Sequence, residues 1–237
     1  MTKPQPPLQP HLNPGVLRAV FLDVDGVLLD SLPQHLRFCA DKGREYGLQR
    51  LQMPSVEAFK RMVSSGTVVS PMLKFFLAVG FPEPLAKRGV EDYEQEFMRV
   101  RRPVAFPGIN DMLKRLSDSG LFLGLVTSNT RANVEPALAD EMHYFDPRCR
   151  FYFDRYPKPR DKAWCLREGA RTLGLAPAQC VYVGDQPGDG AAARAADMPF
   201  LGVSYGWGLH TDEVSVYIVD SVPAIADALL ASLALKG

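Results

Sequence analysis

Acidic and hydroxyl side chains stand at three places in this sequence where an apolar run ends. Asp23 and Asp25 follow the first run, Thr127 follows a later one, and Asp185 and Asp189 follow another. In a strand, residues i and i+2 lie on the same face, so Asp23 and Asp25 are expected to hold two negative charges close together. Two solvated aspartates at a strand end are the plain alternative. A bound cation or a catalytic carboxylate would account for such crowding.

The apolar runs alternate with helical patterns along the chain. Strands are predicted at 16–24, 121–126, 151–153, 180–183, 200–203 and 214–219. Strands that alternate with helices form parallel sheets with right-handed crossovers. The sequence therefore predicts an α/β fold with a doubly wound parallel sheet, in which the polar strand ends meet at one crevice.

A long stretch after the first strand carries helical patterns only. Ser55 is a plausible N-cap, Ser70-Pro71 opens a further helix, and Gly80 ends it. The predicted organisation is an extended proline-rich tail at 1–15, a core formed by 16–31 and 105–237, and a small helical unit inserted at 32–104.

The composition excludes several classes of partner. The chain has 237 residues, of which 46% are hydrophobic, and its formal net charge is zero. This balance supports a packed core and gives no electrostatic reason to expect nucleic acid or an anionic membrane as a partner. There is no signal-peptide pattern and no apolar run long enough to cross a bilayer. The four cysteines are scattered, which indicates reduced thiols, so we expect a cytoplasmic protein.

Four short motifs in one order point to a family. They are Asp23-Val24-Asp25-Gly26-Val27, then Thr127, then Lys158-Pro159, and finally Gly184-Asp185-Gln186-Pro187-Gly188-Asp189. From Arg18 to the C-terminus, the chain resembles the haloacid dehalogenase-like superfamily of phosphatases and phosphomutases. The position of the helical insert resembles the subclass with an α-helical cap.

The resemblance implies a role for each acidic residue. Asp23 is expected to be the nucleophile that forms an aspartyl-phosphate. Asp25 is expected to act as general acid and then as general base. Mg²⁺ is the implied cofactor, held by Asp23, the main-chain carbonyl of Asp25 and the Asp185 carboxylate, with Asp189 supporting the metal site from behind.

The phosphate-binding residues implied by the resemblance are Thr127, Ser128, Asn129 and Lys158. Taken alone, Thr127 is more often a strand-end hydroxyl or a helix cap than a ligand. Lys162 competes with Lys158 for the lysine role, and the family's habit of placing this lysine before a helix favours Lys158.

Three residues of the insert are candidates for substrate contact. His35 has the spacing of a histidine at the cap–core junction in sugar-phosphate mutases of the family, and an exposed histidine on the first insert helix is the alternative. Lys60 and Arg61 are the best basic candidates in the insert for binding substrate, although a solvated helix face is the more common explanation for such residues.

The favoured function is a Mg²⁺-dependent phosphatase of the phosphoglycolate phosphatase-like group that acts on a small phosphorylated metabolite. A sugar phosphomutase with the same core is the first alternative. A dehalogenase is disfavoured by Asp25, because that branch of the family lacks the second acid. A non-catalytic, receiver-like phosphate-binding module is disfavoured by the length of the chain and by its helical insert.

Overall fold

The computed structural model describes residues 16–154, 161–209 and 217–234. Within these residues the strands, in chain order, are β1 (Ala19–Leu22), β2 (Leu29–Asp30), β3 (Val104–Ala105), β4 (Phe122–Val126), β5 (Arg150–Phe151), β6 (Cys180–Gly184), β7 (Phe200–Val203) and β8 (Tyr217–Val219). The helices are α1 (Leu32–Glu45), α2 (Val56–Ser64), α3 (Met72–Ala78), α4 (Glu83–Val100), α5 (Ile109–Asp118), α6 (Arg131–Ala137), α7 (Lys162–Leu173), α8 (Pro187–Ala195) and α9 (Val222–Ala234).

Six of the strands form one parallel sheet in the order β5-β4-β1-β6-β7-β8. The central strand β1 pairs with β4 on one side and with β6 on the other, so that Leu22 is level with Leu125 and with Val183. Every residue of β1 is buried, as expected of a parallel strand that helices cover on both faces. The predicted doubly wound α/β architecture is confirmed.

The two faces of this sheet pack against separate layers of helices. Val20 and Leu22 contribute to the face that packs against α5 and α9. Phe21 points to the opposite face, towards α7 and α8. Its ring fits only because Gly124 and Gly169 lack side chains, since a Cβ on either would lie within 2.6 Å of it. Alternate side chains of β1 therefore pack into two separate apolar cores. This packing fixes the register of β1 against its neighbouring strands.

The helical insert begins and ends at a two-stranded antiparallel pair. Leu29 of β2 is level with Ala105 of β3, where the chain leaves and re-enters the sheet region. The insert helices α1 to α4 share their own apolar cluster, which includes Phe38, Phe76 and Phe97. The predicted N-cap Ser55 accepts a hydrogen bond from the Ala58 amide at 3.2 Å.

The structure differs from the sequence expectations mainly at strand ends. The first strand begins at Ala19 and not at 16, and the strand expected at 151–153 is Arg150–Phe151. The expected tail at 1–15 and part of the expected strand at 214–219 lie outside the described residues. In the part of the chain that the structure describes, no helix is long and apolar enough to span a membrane.

Candidate active site

The carboxyl ends of β1, β4 and β6 lie side by side because β1 is paired between the other two. Asp23 continues β1 and donates its amide to the Val183 carbonyl at 2.9 Å. Gly26 then turns the chain with a φ of +81°, and a Cβ there would lie 2.1 Å from Oδ2 of Asp185. Only glycine allows both the turn and this approach, so the first and fourth motifs meet at Gly26.

The lysine beside Asp23 is Lys162. Its Nζ lies 2.7 Å from Oδ2 of Asp23 and 2.7 Å from Oδ1 of Asp189, and its side chain is 17% exposed. Asp161 caps α7 as expected, since it accepts a hydrogen bond from the Trp164 amide at 2.7 Å. Lys158, the lysine favoured from the sequence, lies outside the described residues. The competitor that the sequence ranked second is therefore the one that the described structure brings to the site.

Burial and like charges dominate the electrostatics of the acidic cluster. Burial raises the pKa of Asp23 to about 7, with Lys162 opposing and Asp189 adding to that rise. Burial, followed by the charges of Asp189 and Asp23, raises the pKa of Asp185 well above its ordinary value. Burial lowers the pKa of Lys162, but Asp189 and Asp23 outweigh it and the net shift is upward. Among the described residues, the Lys162 ammonium alone does not compensate the negative charge of these three carboxylates.

This cluster fits a divalent cation. Asp23, Asp185 and Asp189 are buried and can each bring one carboxylate oxygen within 4.8 Å of the others. Oδ1 of Asp185 is buried and has no hydrogen-bond partner within the described part of the chain. Asp189 differs, because its Oδ2 accepts the amides of Asp185 and Gln186 at 3.2 and 3.0 Å. A hard cation with oxygen ligands satisfies the orphaned oxygen and the excess charge together.

A loop that the sequence analysis did not single out holds Asp185 in place. The Trp207 amide donates to Oδ2 of Asp185 at 2.6 Å, and the amides of Gly208 and Leu209 donate to its carbonyl at 3.1 and 3.0 Å. A Cβ on Gly206 would lie 2.4 Å from the Cβ of Asp185. Gly206 and Gly208 flank Trp207, and closely spaced glycines indicate a backbone that approaches another chain segment. This spacing is the sequence feature from which the loop could have been predicted.

The predicted phosphate-binding segment lies at the end of β4 in the same cavity. Thr127, Ser128 and Asn129 line this cavity together with Asp23 and Asp25. Oγ1 of Thr127 accepts the Asn129 amide at 3.0 Å, so the hydroxyl shapes the turn of its own segment. Nδ2 of Asn129 donates to Oδ2 of Asp25 at 2.9 Å. The segment therefore orients the second aspartate as well as facing the cavity.

His35 connects the insert to this segment. It is 2% exposed, so the alternative of an exposed histidine is wrong. Its Nδ1 lies 2.8 Å from the Ser31 carbonyl oxygen and its Nε2 lies 3.0 Å from the Tyr93 hydroxyl. That hydroxyl donates to Oδ1 of Asn129 at 3.2 Å. Burial lowers the pKa of His35 despite the opposing charge of Asp25, which favours the neutral imidazole.

The two basic candidates of the insert lie elsewhere. Nζ of Lys60 donates to the Tyr205 carbonyl at 3.0 Å, and Arg61 is exposed. Neither residue lines the cavity around Asp23. The Lys60 ammonium has its partner in the core and Arg61 faces solvent, so the structure does not bring these two residues together with Asp23.

The structure combines a Rossmann-like α/β core, an inserted helical unit and a buried cluster of carboxylates at the strand ends. A family model described as haloacid dehalogenase-like hydrolase matches residues 17–197. The chain belongs to this family, and the family resemblance drawn from its motifs is confirmed.

Named relatives are phosphatases. The phosphoglycolate phosphatase of Xanthomonas campestris is 30% identical in an alignment of 203 positions, and the alignment covers 83% of this chain and 87% of the relative. The N-acetylmuramic acid 6-phosphate phosphatase of Pseudomonas aeruginosa is 25% identical in an alignment of 220 positions, and the alignment covers 90% of this chain and 95% of the relative. These relatives and the family match define the chain as a phosphatase-type hydrolase.

A solved structure shares the fold. A haloacid dehalogenase-like family hydrolase from Streptococcus pneumoniae superposes with a TM-score of 0.75 and covers 90% of this chain and 99% of its own. At 22% identity the similarity concerns the fold.

Proposed function

We propose that this protein is a Mg²⁺-dependent phosphatase that hydrolyses a small phosphorylated metabolite through an aspartyl-phosphate on Asp23. The observation that carries the proposal is the position of Asp23, which lines the cavity between the Lys162 ammonium and the carboxylates of Asp185 and Asp189. A carboxylate can attack a phosphoryl group only where cationic groups offset the charge of both.

The residues that would hold Mg²⁺ are Asp23 and Asp185 through their carboxylates and Asp25 through its main-chain carbonyl. Asp189 supports them, since its oxygens already accept hydrogen bonds from two amides and from Lys162. When bound, the cation neutralises charge on the phosphoryl oxygens and on Asp23.

Two aspartates divide the chemistry. A carboxylate oxygen of Asp23 forms a bond to phosphorus, while the bond from phosphorus to the leaving oxygen breaks and Asp25 gives that oxygen a proton. Asp25 then takes a proton from water, whose oxygen attacks phosphorus and releases inorganic phosphate and free Asp23. Oδ1 of Asp25 is buried and no described residue forms a hydrogen bond with it, which leaves it available for these transfers.

Lys162, in the role that the family resemblance implied for Lys158, offsets the charge between Asp23 and the phosphoryl group. Thr127, Ser128 and Asn129 line the cavity from the end of β4 and contribute phosphate contacts. These assignments follow from which residues face the cavity that Asp23 and Asp25 also line.

Residues 32–104 act in this proposal as a cap on a core formed by 16–31 and 105–237. The insert supplies part of the wall of the catalytic cavity through His35, Val69, Met72 and Tyr93. A wall of neutral side chains excludes bulk water from the aspartyl-phosphate and faces the organic part of the substrate.

Hydrolysis of p-nitrophenyl phosphate tests this function. We expect turnover that depends on Mg²⁺, is abolished by chelation and is lost in Asp23→Asn, while the exposed Asp111→Asn on α5 retains it. Absence of metal-dependent turnover by folded protein over a panel of phosphate esters would contradict a phosphatase. Isomerisation of a sugar 1-phosphate without net phosphate release would identify the phosphomutase alternative instead.

A further inference from the structure

Lys60 joins the insert to the loop that holds Asp185. It lies on α2 and is half-buried, and its Nζ donates to the Tyr205 carbonyl oxygen at 3.0 Å. Tyr205 belongs to residues 204–209, which follow β7 and which we call the Trp207 loop. A hydrogen bond from an ammonium group is stronger than one between neutral groups, so this contact fixes the position of the Tyr205 carbonyl relative to α2.

A second side chain of α2 packs against the same loop. Val63 lies three residues after Lys60, so the two residues face the same side of the helix. A Cβ on Gly208 would lie 2.3 Å from Cγ1 of Val63, which shows how closely the backbone of the loop approaches this side chain. One face of α2 therefore meets the Trp207 loop through a polar contact and an apolar contact.

The Trp207 loop transmits the position of α2 to the acidic cluster. The Trp207 amide donates to Oδ2 of Asp185 at 2.6 Å, so Oδ1 is the oxygen with which Asp185 would bind a cation. A Cβ on Gly206 would lie 2.4 Å from the Cβ of Asp185 and 2.5 Å from the Gly26 carbonyl oxygen. Because the loop is packed this closely, a shift of Tyr205 would move the amide that orients Asp185.

Other contacts hold Tyr205 independently of the insert. Its hydroxyl donates to the Val27 carbonyl oxygen at 2.9 Å, directly after the turn at Gly26. Its ring packs against that of Phe106, with the centroids 4.9 Å apart. The loop should therefore stay folded when the contact with Lys60 is removed, and the change should concern the exact position of its main chain.

We propose that Lys60 is a positioning residue for the cation site and acts on Asp185 through the Trp207 loop. With the insert in place, Lys60 holds the Tyr205 carbonyl, and the loop presents Asp185 in the orientation that binds Mg²⁺. This inference rests on the proposed function to the extent that Asp185 is a ligand of Mg²⁺. It links the affinity for Mg²⁺ to the contact of α2 with the loop, and it gives Lys60 a role other than binding substrate.

Removal of the ammonium group tests this role by the sign of its effect. Lys60→Met keeps an unbranched side chain of similar length and deletes one positive charge. Electrostatics alone would then strengthen the binding of a cation, because a like charge has been removed. The proposal predicts the opposite, since molecules with a misplaced loop do not bind the cation well. In a calorimetric titration with Mg²⁺ alone, we expect the Kd to rise about three- to tenfold, within what one charge-assisted hydrogen bond supports.

Two further variants control this measurement. Arg61→Met deletes the same charge from the neighbouring, exposed position, and its Kd for Mg²⁺ should stay the same or fall. Lys60→Arg keeps a cationic donor and should restore most of the affinity. An unchanged or lower Kd in Lys60→Met, or a rise of equal size in Arg61→Met, would overturn the assignment.

The fluorescence of Trp207 gives a readout in the absence of metal. The chain has two tryptophans, so Trp207 is the only one left in the variant Trp164→Phe. In this background we expect Lys60→Met to increase the acrylamide quenching of Trp207. Added Mg²⁺ should reverse part of the increase, because the coupling between two sites is reciprocal. Equal quenching with and without the Lys60 ammonium would contradict the proposal.

The contact can also be changed from the side of the loop. Gly208→Ala places a methyl group against Val63 and should raise the Kd for Mg²⁺ as Lys60→Met does. Val63→Ala in the same chain removes the opposing methyl groups and should restore the affinity. A loss of affinity that persists in the double variant would show that the effect does not pass through the contact between α2 and the loop.

These outcomes can be separated from those of the proposed function. The affinity for Mg²⁺ and the quenching are measured without substrate. Their dependence on Lys60 in a protein that turns over no phosphate ester would reject the phosphatase and keep the positioning role. Turnover by the unaltered protein, together with a higher KM but an unchanged Kd for Mg²⁺ in Lys60→Met, would keep the phosphatase and identify Lys60 as a substrate-binding residue instead.

Discussion

Lys162 contacts two carboxylates, and from this contact we predict the effect of replacing this one residue. Lys162 is the cation found beside Asp23 and Asp189 in the described part of the chain. We expect Lys162→Gln to lower kcat about 10²- to 10³-fold, the usual cost of removing one electrostatic group from an active site. Steady-state phosphate release measures the change, and Lys158→Gln is the matched control. A larger loss of kcat in Lys158→Gln than in Lys162→Gln would mean that Lys158 is the lysine that offsets the charge beside Asp23.

The position of Lys162 could not be predicted from the sequence, whereas the positions of the aspartates could. Asp23, Asp25 and Asp185 could be predicted because each follows a strand whose neighbours are set by the sheet order. Lys162 follows a loop whose path the sequence does not determine. Capping by Asp161 was recognised, and it makes Lys162 the first residue of α7. The choice between two lysines depended on tertiary distance, which spacing alone does not supply.

Asn129 carries a second prediction at the residue scale. Its amide holds Asp25 at 2.9 Å, and its carbonyl oxygen accepts hydrogen bonds from Tyr93, Thr130 and Asn133. We expect Asn129→Ala to lower kcat about 10- to 100-fold because the proton donor loses its orientation.

The measurement that separates positioning from folding is turnover of esters with different leaving groups. p-Nitrophenol leaves readily without a proton, so its ester should suffer less in Asn129→Ala than an alkyl phosphate does. Asn133→Ala removes a neighbouring contact to the same carbonyl oxygen and serves as control. Equal losses on both esters would contradict a role through Asp25.

Among the elements, α1 and α4 are joined by a buried lysine. Lys42 of α1 has a side chain that is 6% exposed and pairs with Asp92 and Glu96 of α4, each at 2.9 Å. The Tyr46 hydroxyl donates to the same Asp92 at 2.6 Å. Burial raises the pKa of Asp92, but the hydrogen bonds from Tyr46 and Lys42 outweigh it, and the pKa lies below its ordinary value of 3.8.

This shift predicts how stability depends on pH. A carboxylate with a lowered folded-state pKa stabilises the fold at pH values above its unfolded pKa, and the stabilisation is lost as the pH falls through the folded pKa. We expect Asp92→Asn to reduce the free energy of unfolding by about 1–2 kcal/mol at pH 7. The difference from the unaltered protein should shrink as the pH falls below 3.8.

Urea unfolding at several pH values measures this difference, with Glu91→Gln as the control on the exposed face of the same helix. A destabilisation that stays constant between neutral and acid pH would mean that Asp92 acts through packing and not through its charge.

The sequence predicted these elements unevenly. The four insert helices and the Ser55 cap followed from apolar spacing and capping residues, and both are present. The pair β2–β3 was missed because two residues per strand give no alternation to detect. The strand at Arg150–Phe151 was placed too far along the chain, since Phe153 is as apolar as Phe151 but lies in a turn.

At the scale of the whole molecule, Trp207 lies outside the insert in sequence but packs in the apolar cluster of the insert. Trp207 is 5% exposed, and its ring centroid lies 5.3 Å from that of His35, 5.8 Å from Phe75 and 6.0 Å from Phe59. Its amide meanwhile holds the Asp185 carboxylate at 2.6 Å. The loop around Trp207 therefore joins the packing of the insert to the acidic cluster.

The contact between the Trp207 loop and the insert leads to a prediction about solvent access to Trp207. Movement of the insert away from the sheet would expose the indole of Trp207, so ligands that favour the closed arrangement should protect it from solvent. The protein has two tryptophans, and Trp164→Phe leaves Trp207 as the only fluorophore of this type. We expect acrylamide quenching of Trp207 to fall when Mg²⁺ and the phosphate mimic orthovanadate are added together. In Trp207→Phe, the remaining Trp164, which is 38% exposed on α7, should show no such change. Equal quenching of Trp207 with and without these ligands would mean that the insert stays closed over the site in both states.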